Sequence, residues 1–285
     1  MVRLVDVATM GVPGVPKTFH FLAGLPRSGS TVLAVILNQR PDVYASPQTD
    51  LLQVMHLLES QIPGLESHRA GLRREGYANM VRSLGETFYA DVDVPVVIDK
   101  NRAWGTPYNL RLARLLNPDV RILATVRPIL EVLASFVIQA RAHPETNFID
   151  AAMARTDFYP AQYRPIDDAR CDWLMRPNGE IDRAILSAAQ ARAHPGAFHL
   201  IAYDDLVSDP VETMAGVSRF LGLDPFAHDF DDLREVDVHD DEAAFGLPDL
   251  HQVRPELARR SPPPEDVLSP YVLARYGPTG GAYPW

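Results

Sequence analysis

The stretch TFHFLAGLPRSGST, residues 18–31, decides the fold. Its first six residues, with aromatic and apolar side chains from Phe19 on, suit a short buried strand. They run directly into Gly24-Leu25-Pro26-Arg27-Ser28-Gly29-Ser30-Thr31. An apolar, helix-like stretch at 32–37 follows, and Pro41 stops it. Strand, glycine-bearing turn and helix make the opening of a nucleotide-binding α/β unit. The octapeptide matches Gly-x-x-x-x-Gly-Lys-[Ser/Thr] except that Ser30 stands at the lysine position. Backbone N–H groups of such a loop, with the helix N-terminus behind it, cradle phosphate oxygens. The missing lysine is the one that reaches the β- and γ-phosphates, so the loop is poorly equipped for ATP or GTP chemistry. A basic residue does occur three positions earlier, as Arg27. The competing reading is a strand–helix turn that binds nothing.

Working outward, residues 94–98, 121–126 and 198–202 read as three further strands, each preceded by a helix-like segment (72–89, 108–116 and 180–193). Another helix is expected over 129–140. Strands alternating with helices predict a mostly parallel sheet covered on both faces. The expected fold is therefore α/β, a three-layer P-loop nucleoside-triphosphate-hydrolase-like fold, with 1–285 forming one domain. Residues 144–178 and 226–285 are proline-rich and weakly patterned, and are expected to be excursions over the active-site edge. Ligands in such sheets bind beyond the carboxyl ends of the strands. Arg27, Asp99, Lys100, Arg127 and Tyr203 all fall there.

Composition narrows the function. A net charge of −10 argues against nucleic acid or a heparin-like polyanion as the main partner. The single cysteine, Cys171, excludes an internal disulfide and a cysteine-rich zinc site. With no long apolar run and no apolar leader, a cytoplasmic protein without a membrane span is expected. Of 27 basic residues only Lys17 and Lys100 are lysines, so Lys100 at a strand end invites a functional reading.

A second anion site is legible downstream. Arg127 ends one strand and Ser135 lies two turns into the next helix, so the two could meet one anion from two sides, the arginine through charge-assisted bonds. A strand-edge arginine and a polar-face serine are the plainer alternative.

Taken together, Gly24–Thr31 and the Arg127/Ser135 pair, eight positions apart, resemble the PAPS-dependent sulfotransferases, nearer the tyrosylprotein and bacterial type than the cytosolic type. PAPS is 3′-phosphoadenosine 5′-phosphosulfate. The loop resembles their P-[RK]-[ST]-G-[ST]-[ST] element. The likeness implies that Arg27, Ser28, Gly29, Ser30 and Thr31 hold the 5′-phosphate, and that Arg127 and Ser135 hold the 3′-phosphate. Ala202-Tyr203-Asp204-Asp205-Leu206, with Pro210 and Phe220-Leu221-Gly222-Leu223, resembles a further family element and implies Tyr203 near the nucleotide. A helix is expected after Pro210, packing through Met214, Val217 and Leu221. Leu250-His251-Gln252-Val253-Arg254 looks like a late loop over the nucleotide and makes Arg254 a donor contact. The activity implied is transfer of a sulfuryl group to a hydroxyl acceptor of unspecified class, with PAP as product and no metal.

The catalytic assignments follow from the same resemblance. Lys100 would assist departure of the bridging oxygen, and Arg27 would stabilise charge near the sulfuryl group. The alternative makes Lys100 a solvated cation paired with Asp99. The general base departs from the family pattern. Cytosolic relatives carry a histidine where Arg102 stands, and tyrosylprotein relatives a glutamate where Gln48 falls. Asp50 is the nearest carboxylate, although Thr49 or Asp50 could simply cap a helix starting at 51. His56, His143 and His251 are further bases without positional support. A P-loop small-molecule kinase and a catalytically inactive PAP-binding protein are the competing functions.

Overall fold

The structure is a computed structural model that describes residues 15–156, 158, 164–237, 240–248, 250–258 and 261–277. Within them lie five strands: β1 (Thr18–Gly24), β2 (Val43–Gln48), β3 (Val96–Lys100), β4 (Ile122–Val126) and β5 (Phe198–Ala202). All pair in parallel in the order β2-β3-β1-β4-β5. The connection from β3 to β4 passes over the central β1, so a crevice opens beyond the carboxyl end of β1.

Alternation along β1 sends its side chains into two cores. Phe19, Phe21 and Ala23 join Ile122, Ala124, Val97 and Trp104 on one face, beneath helices Leu51–Gln61, Arg74–Phe88 and Pro107–Leu116. Leu22 joins Ile98, Leu123 and Ile201 on the other, beneath helices Ser30–Leu37 and Pro210–Leu221. A third core gathers around helix Ile129–Ala142 and includes Trp173, Ile181 and Leu250. Burial on both faces explains why the strands read as apolar runs rather than alternating ones.

The expected strand 198–202 and helix 180–193 are observed with those bounds. The helix after Pro210 packs through Met214, Val217 and Leu221, all buried. Three details differ. The strand expected at 94–98 runs Val96–Lys100, so Asp99 and Lys100 belong to the ladder itself. The helix expected over 129–140 runs Ile129–Ala142, with Pro128 at its N-cap. An additional strand, β2, lies at the sheet edge and carries Pro47, with its register broken between Ala45 and Gln48. Proline cannot donate to a ladder, which hides such an edge strand from periodicity. The weakly patterned 144–178 and 226–285 contain helices Phe148–Arg155, Ile166–Leu174, Asp241–Phe245 and Pro270–Tyr276.

Gly24 fixes how β1 turns into its loop. It holds φ at +127°, and a Cβ there would fall 2.4 Å from the Thr125 carbonyl oxygen and 2.6 Å from its amide nitrogen. Backbone that close cannot yield as a side chain can. Gly24→Ala should therefore destabilise the fold by about 3 kcal/mol or more, from left-handed strain plus overpacking. Denaturant titration checks this, and a loss under about 1 kcal/mol would show that the strand–loop junction relaxes.

Candidate active site

The loop after β1 is anchored by its one deeply buried polar side chain. Ser28 Oγ donates to the carbonyls of Leu25 (2.5 Å) and Thr125 (3.1 Å) and lies 2.6 Å from Thr125 Oγ1. Arg27 and Gly29 on either side have positive φ, +60° and +91°. A left-handed arginine is strained by on the order of 1–3 kcal/mol, a cost that buried neighbours must hold in place. Helix Ser30–Leu37 begins directly after Gly29. Its first amides have no intrahelical acceptor and carry the positive end of the helix dipole.

Three cations converge on this loop. Arg27 Nε donates to Ser135 Oγ at 3.0 Å, and its Nη1 donates to the Leu250 carbonyl. Arg127, buried at the tip of β4, donates from Nη1 to the Arg27 carbonyl (2.9 Å), from Nε to Glu131 (2.9 Å) and from Nη2 to Ser261 Oγ (2.7 Å). Its guanidinium also lies 4.3 Å from the centroid of the Tyr203 ring. Lys100 Nζ donates to Thr31 Oγ1 at 2.8 Å. Burial, then the Arg102 charge, lowers the Lys100 ammonium to about 7. Burial, then Arg127, lowers Arg27 to about 10. These directions mean positive charge held out of water without a full complement of anions.

The alternative pairing of Lys100 with Asp99 is not formed. Adjacent strand residues face opposite sides. Asp99 points into the core, accepting from Thr49 Oγ1 (2.6 Å), Trp104 Nε1 (2.6 Å) and the Tyr89 hydroxyl. Burial raises its carboxyl nonetheless.

A cavity of about 790 Å³ opens above these cations. Arg27, Gly29, Ser30, Thr31, Lys100, Arg127, Ser135 and Tyr203 line it, so the two elements read from the sequence do meet in space. Asp50 and Arg254 also line it, both exposed. Asp50 caps helix Leu51–Gln61 only by position, since its side chain makes no capping bond and the Thr49 hydroxyl goes to Asp99. Ser135 and Arg127 both bond Arg27, Ser135 accepting from its Nε and Arg127 donating to its carbonyl. Ser28 is buried beneath the loop, supporting it from below.

Sequence reasoning missed Glu131, Asp241 and the ordering of His251. Glu131 was discoverable, because it stands four residues after Arg127, in the first turn of the helix that follows the strand tip. Asp241 holds His251 twice, accepting from its amide at 2.5 Å and lying 2.5 Å from Nδ1. Nothing periodic links residues 241 and 251 in the tail. Among the described residues no group of three or more His, Cys, Asp or Glu side chains could hold a metal ion. No helix among them is long and apolar enough to cross a membrane.

Fold and cavity together define a parallel α/β protein with a cationic site at the glycine loop of its central strand. Residues 20–228 match the family described as "Sulfotransferase family", and the chain belongs to it. It is similar to the sulfotransferase domain from the curacin biosynthetic pathway (18% identity, 75% of this chain and 76% of that one, TM-score 0.47). It is also similar to a sulfotransferase from Alicyclobacillus acidocaldarius (19%, 75% and 85%, 0.47). A third likeness is to a sulfotransferase from Mycobacterium avium (14%, 95% and 78%, 0.46). No curated protein matches.

Asp99→Ala should test the division between core and site. It leaves the Thr49, Tyr89 and Trp104 donors without their acceptor, at a cost of about 3 kcal/mol or more. The loss should appear in the denaturation midpoint, with altered Trp104 fluorescence. An unchanged midpoint would show that these three donors do not depend on the carboxyl.

Proposed function

We propose that the protein transfers a sulfuryl group from PAPS to a hydroxyl acceptor. The observation that carries this reading is the meeting of Arg27, Lys100 and Arg127 at a glycine loop whose lysine position is Ser30. On this reading Arg27 and the loop Ser28–Thr31 bind the 5′-phosphate, Arg127 and Ser135 the 3′-phosphate, and Tyr203 the nucleotide. Arg254 closes from the rim. Lys100 sits against the loop threonine, where a compact ammonium can meet the bridging oxygen as the S–O bond breaks. In-line positioning and neutralisation of the leaving charge are what such a transfer needs. Asp50 is the carboxylate that the sequence offers for the acceptor proton. A kinase reading is less well served, because the loop lacks the lysine that spans the β- and γ-phosphates.

Calorimetry in EDTA should give metal-independent binding of PAP and little affinity for ATP. Arg127→Ala should weaken PAP by on the order of 1.5–3 kcal/mol yet hardly affect adenosine 5′-phosphosulfate, which has no 3′-phosphate. Equal binding of ATP and PAP would overturn the donor assignment. Equal losses for both ligands would remove Arg127 from the 3′-phosphate.

The lowered ammonium sets a pH dependence. Lys100 is charged below about 7 in the free protein and neutral above it. Since the charged form meets the anionic donor, kcat/KM for PAPS should fall as pH rises through about 7, and bound donor should move the kcat limb upward. Lys100→Ala should cost about 10²–10³-fold in kcat with little change in PAP affinity. Lys100→Arg should restore only part of it. Single-turnover kinetics decide this, and near-normal rates for Lys100→Ala would exclude Lys100 from the chemistry.

A further inference from the structure

The proton of the acceptor hydroxyl needs a destination, and neither Gln48 nor Arg102, which both line the cavity, is a base. Among the carboxylates lining the cavity, Glu180 is paired with Arg102 at 3.4 Å, while Asp50 and Glu256 lie exposed on its rim. Glu131 is bonded to Arg127, and Asp99 faces the opposite core. His56 meets the Tyr108 ring edge-on at 5.0 Å and is not part of the cavity wall. His143 lines the cavity but terminates helix Ile129–Ala142 as its C-cap.

His251 differs from all of these. It lines the same cavity as Lys100 and Thr31, with its side chain 15% exposed. Asp241 grips it at two atoms, the backbone amide and Nδ1, each at 2.5 Å. The Phe245 ring lies 5.6 Å from the imidazole. One carboxylate taking both the amide and Nδ1 fixes the ring's position and its tautomer. The proton lies on Nδ1, and Nε2 is the basic atom. This is a base with its orienting carboxylate, the arrangement that general-base catalysis requires.

We propose that His251, oriented by Asp241, takes the proton from the acceptor hydroxyl during sulfuryl transfer; this rests on the PAPS reading above. The acceptor oxygen attacks sulfur and forms the new O–S bond. The bridging S–O bond breaks, and its electron pair leaves on the 5′-phosphate oxygen of PAP. The hydroxyl proton passes to Nε2, and the resulting imidazolium faces the Asp241 carboxylate until it releases the proton to water. Charged groups acting on His251 include Asp241 from the short helix Asp241–Phe245, Lys100 from β3 and Arg102 just beyond it. Burial, opposed by the Asp241 bond and reinforced by the two cations, lowers the imidazole to about 4, so it is neutral near pH 7. A weak base is adequate here, because the hydroxyl grows strongly acidic as its oxygen bonds sulfur.

The test has two arms. Nitrogen-15 NMR of the full chain should show His251 neutral at pH 7 with its proton on Nδ1, and Asp241→Asn should abolish that fixed tautomer. This arm needs no donor or acceptor, and decides alone if the probe phenols are not sulfated. A protonated imidazole, or a proton held on Nε2, overturns the proposal. In the second arm PAPS is offered with 4-methoxyphenol or with the more acidic 4-nitrophenol. His251→Gln should lose about 10²-fold with 4-methoxyphenol and far less with 4-nitrophenol, while PAP affinity stays within threefold. Equal losses with both phenols, or a loss carried by Asp50→Asn instead, also overturn it. Failure of wild-type protein to bind PAP would sink the PAPS reading separately.

Discussion

Positive charge held out of water is the constraint on which this structure turns. Arg27, Lys100 and Arg127 lie at the tip of the central strand, and the only buried carboxylate bonded to any of them is Glu131 among the described contacts. The remaining partners are neutral oxygens: Ser135, Thr31, Ser261 and the carbonyls of Arg27 and Leu250. Neutral acceptors satisfy the N–H groups but do not neutralise the charge, and the lowered Lys100 and Arg27 follow directly. Such a site is unfavourable empty and relieved by an anion. The free energy of forming it is supplied by the three apolar cores around it.

The sheet's two-residue period then separates structure from chemistry within a single dipeptide. Asp99 and Lys100 are neighbours in sequence and carry opposite charges, which makes an ion pair the obvious reading. Because both belong to β3, their side chains leave opposite faces. Asp99 becomes the acceptor that ties helix Arg74–Phe88, through the adjoining Tyr89, to Trp104 and Thr49. Lys100, one residue on, reaches the loop threonine. A strand ending at Ile98, as the apolar run suggested, would have left this parity undefined.

What was legible in the sequence was what local patterns encode. Gly24 to Thr31, the strand-tip Arg127 and the Tyr203 element each sit in a contiguous motif, and the sheet's topology brings them together. The edge strand β2 was illegible because Pro47 and a register break interrupt its alternation. The His251–Asp241 pair was illegible for another reason. Asp241 opens a short helix and His251 lies beyond its end, and the two are joined only through the Asp241 side chain, so spacing along the chain says nothing about which atoms meet.

That tail is also part of the site. Leu250 lends its carbonyl to Arg27, Ser261 its hydroxyl to Arg127, and Glu235 accepts from the Val253 amide. Leu233 and Leu257 tie residues 230–233 to 255–257 by donating to the carbonyls of Pro255 and Phe230. Arg27 and Arg127 thus hold Leu250 and Ser261 of the tail against the glycine loop. A guanidinium has five N–H donors, and Arg127 commits three atoms' worth of them to protein. An anion that takes the edge facing Ser261 exchanges a neutral partner for a charged one, a stronger bond in a dry setting. Tail and ligand therefore draw on the same N–H groups.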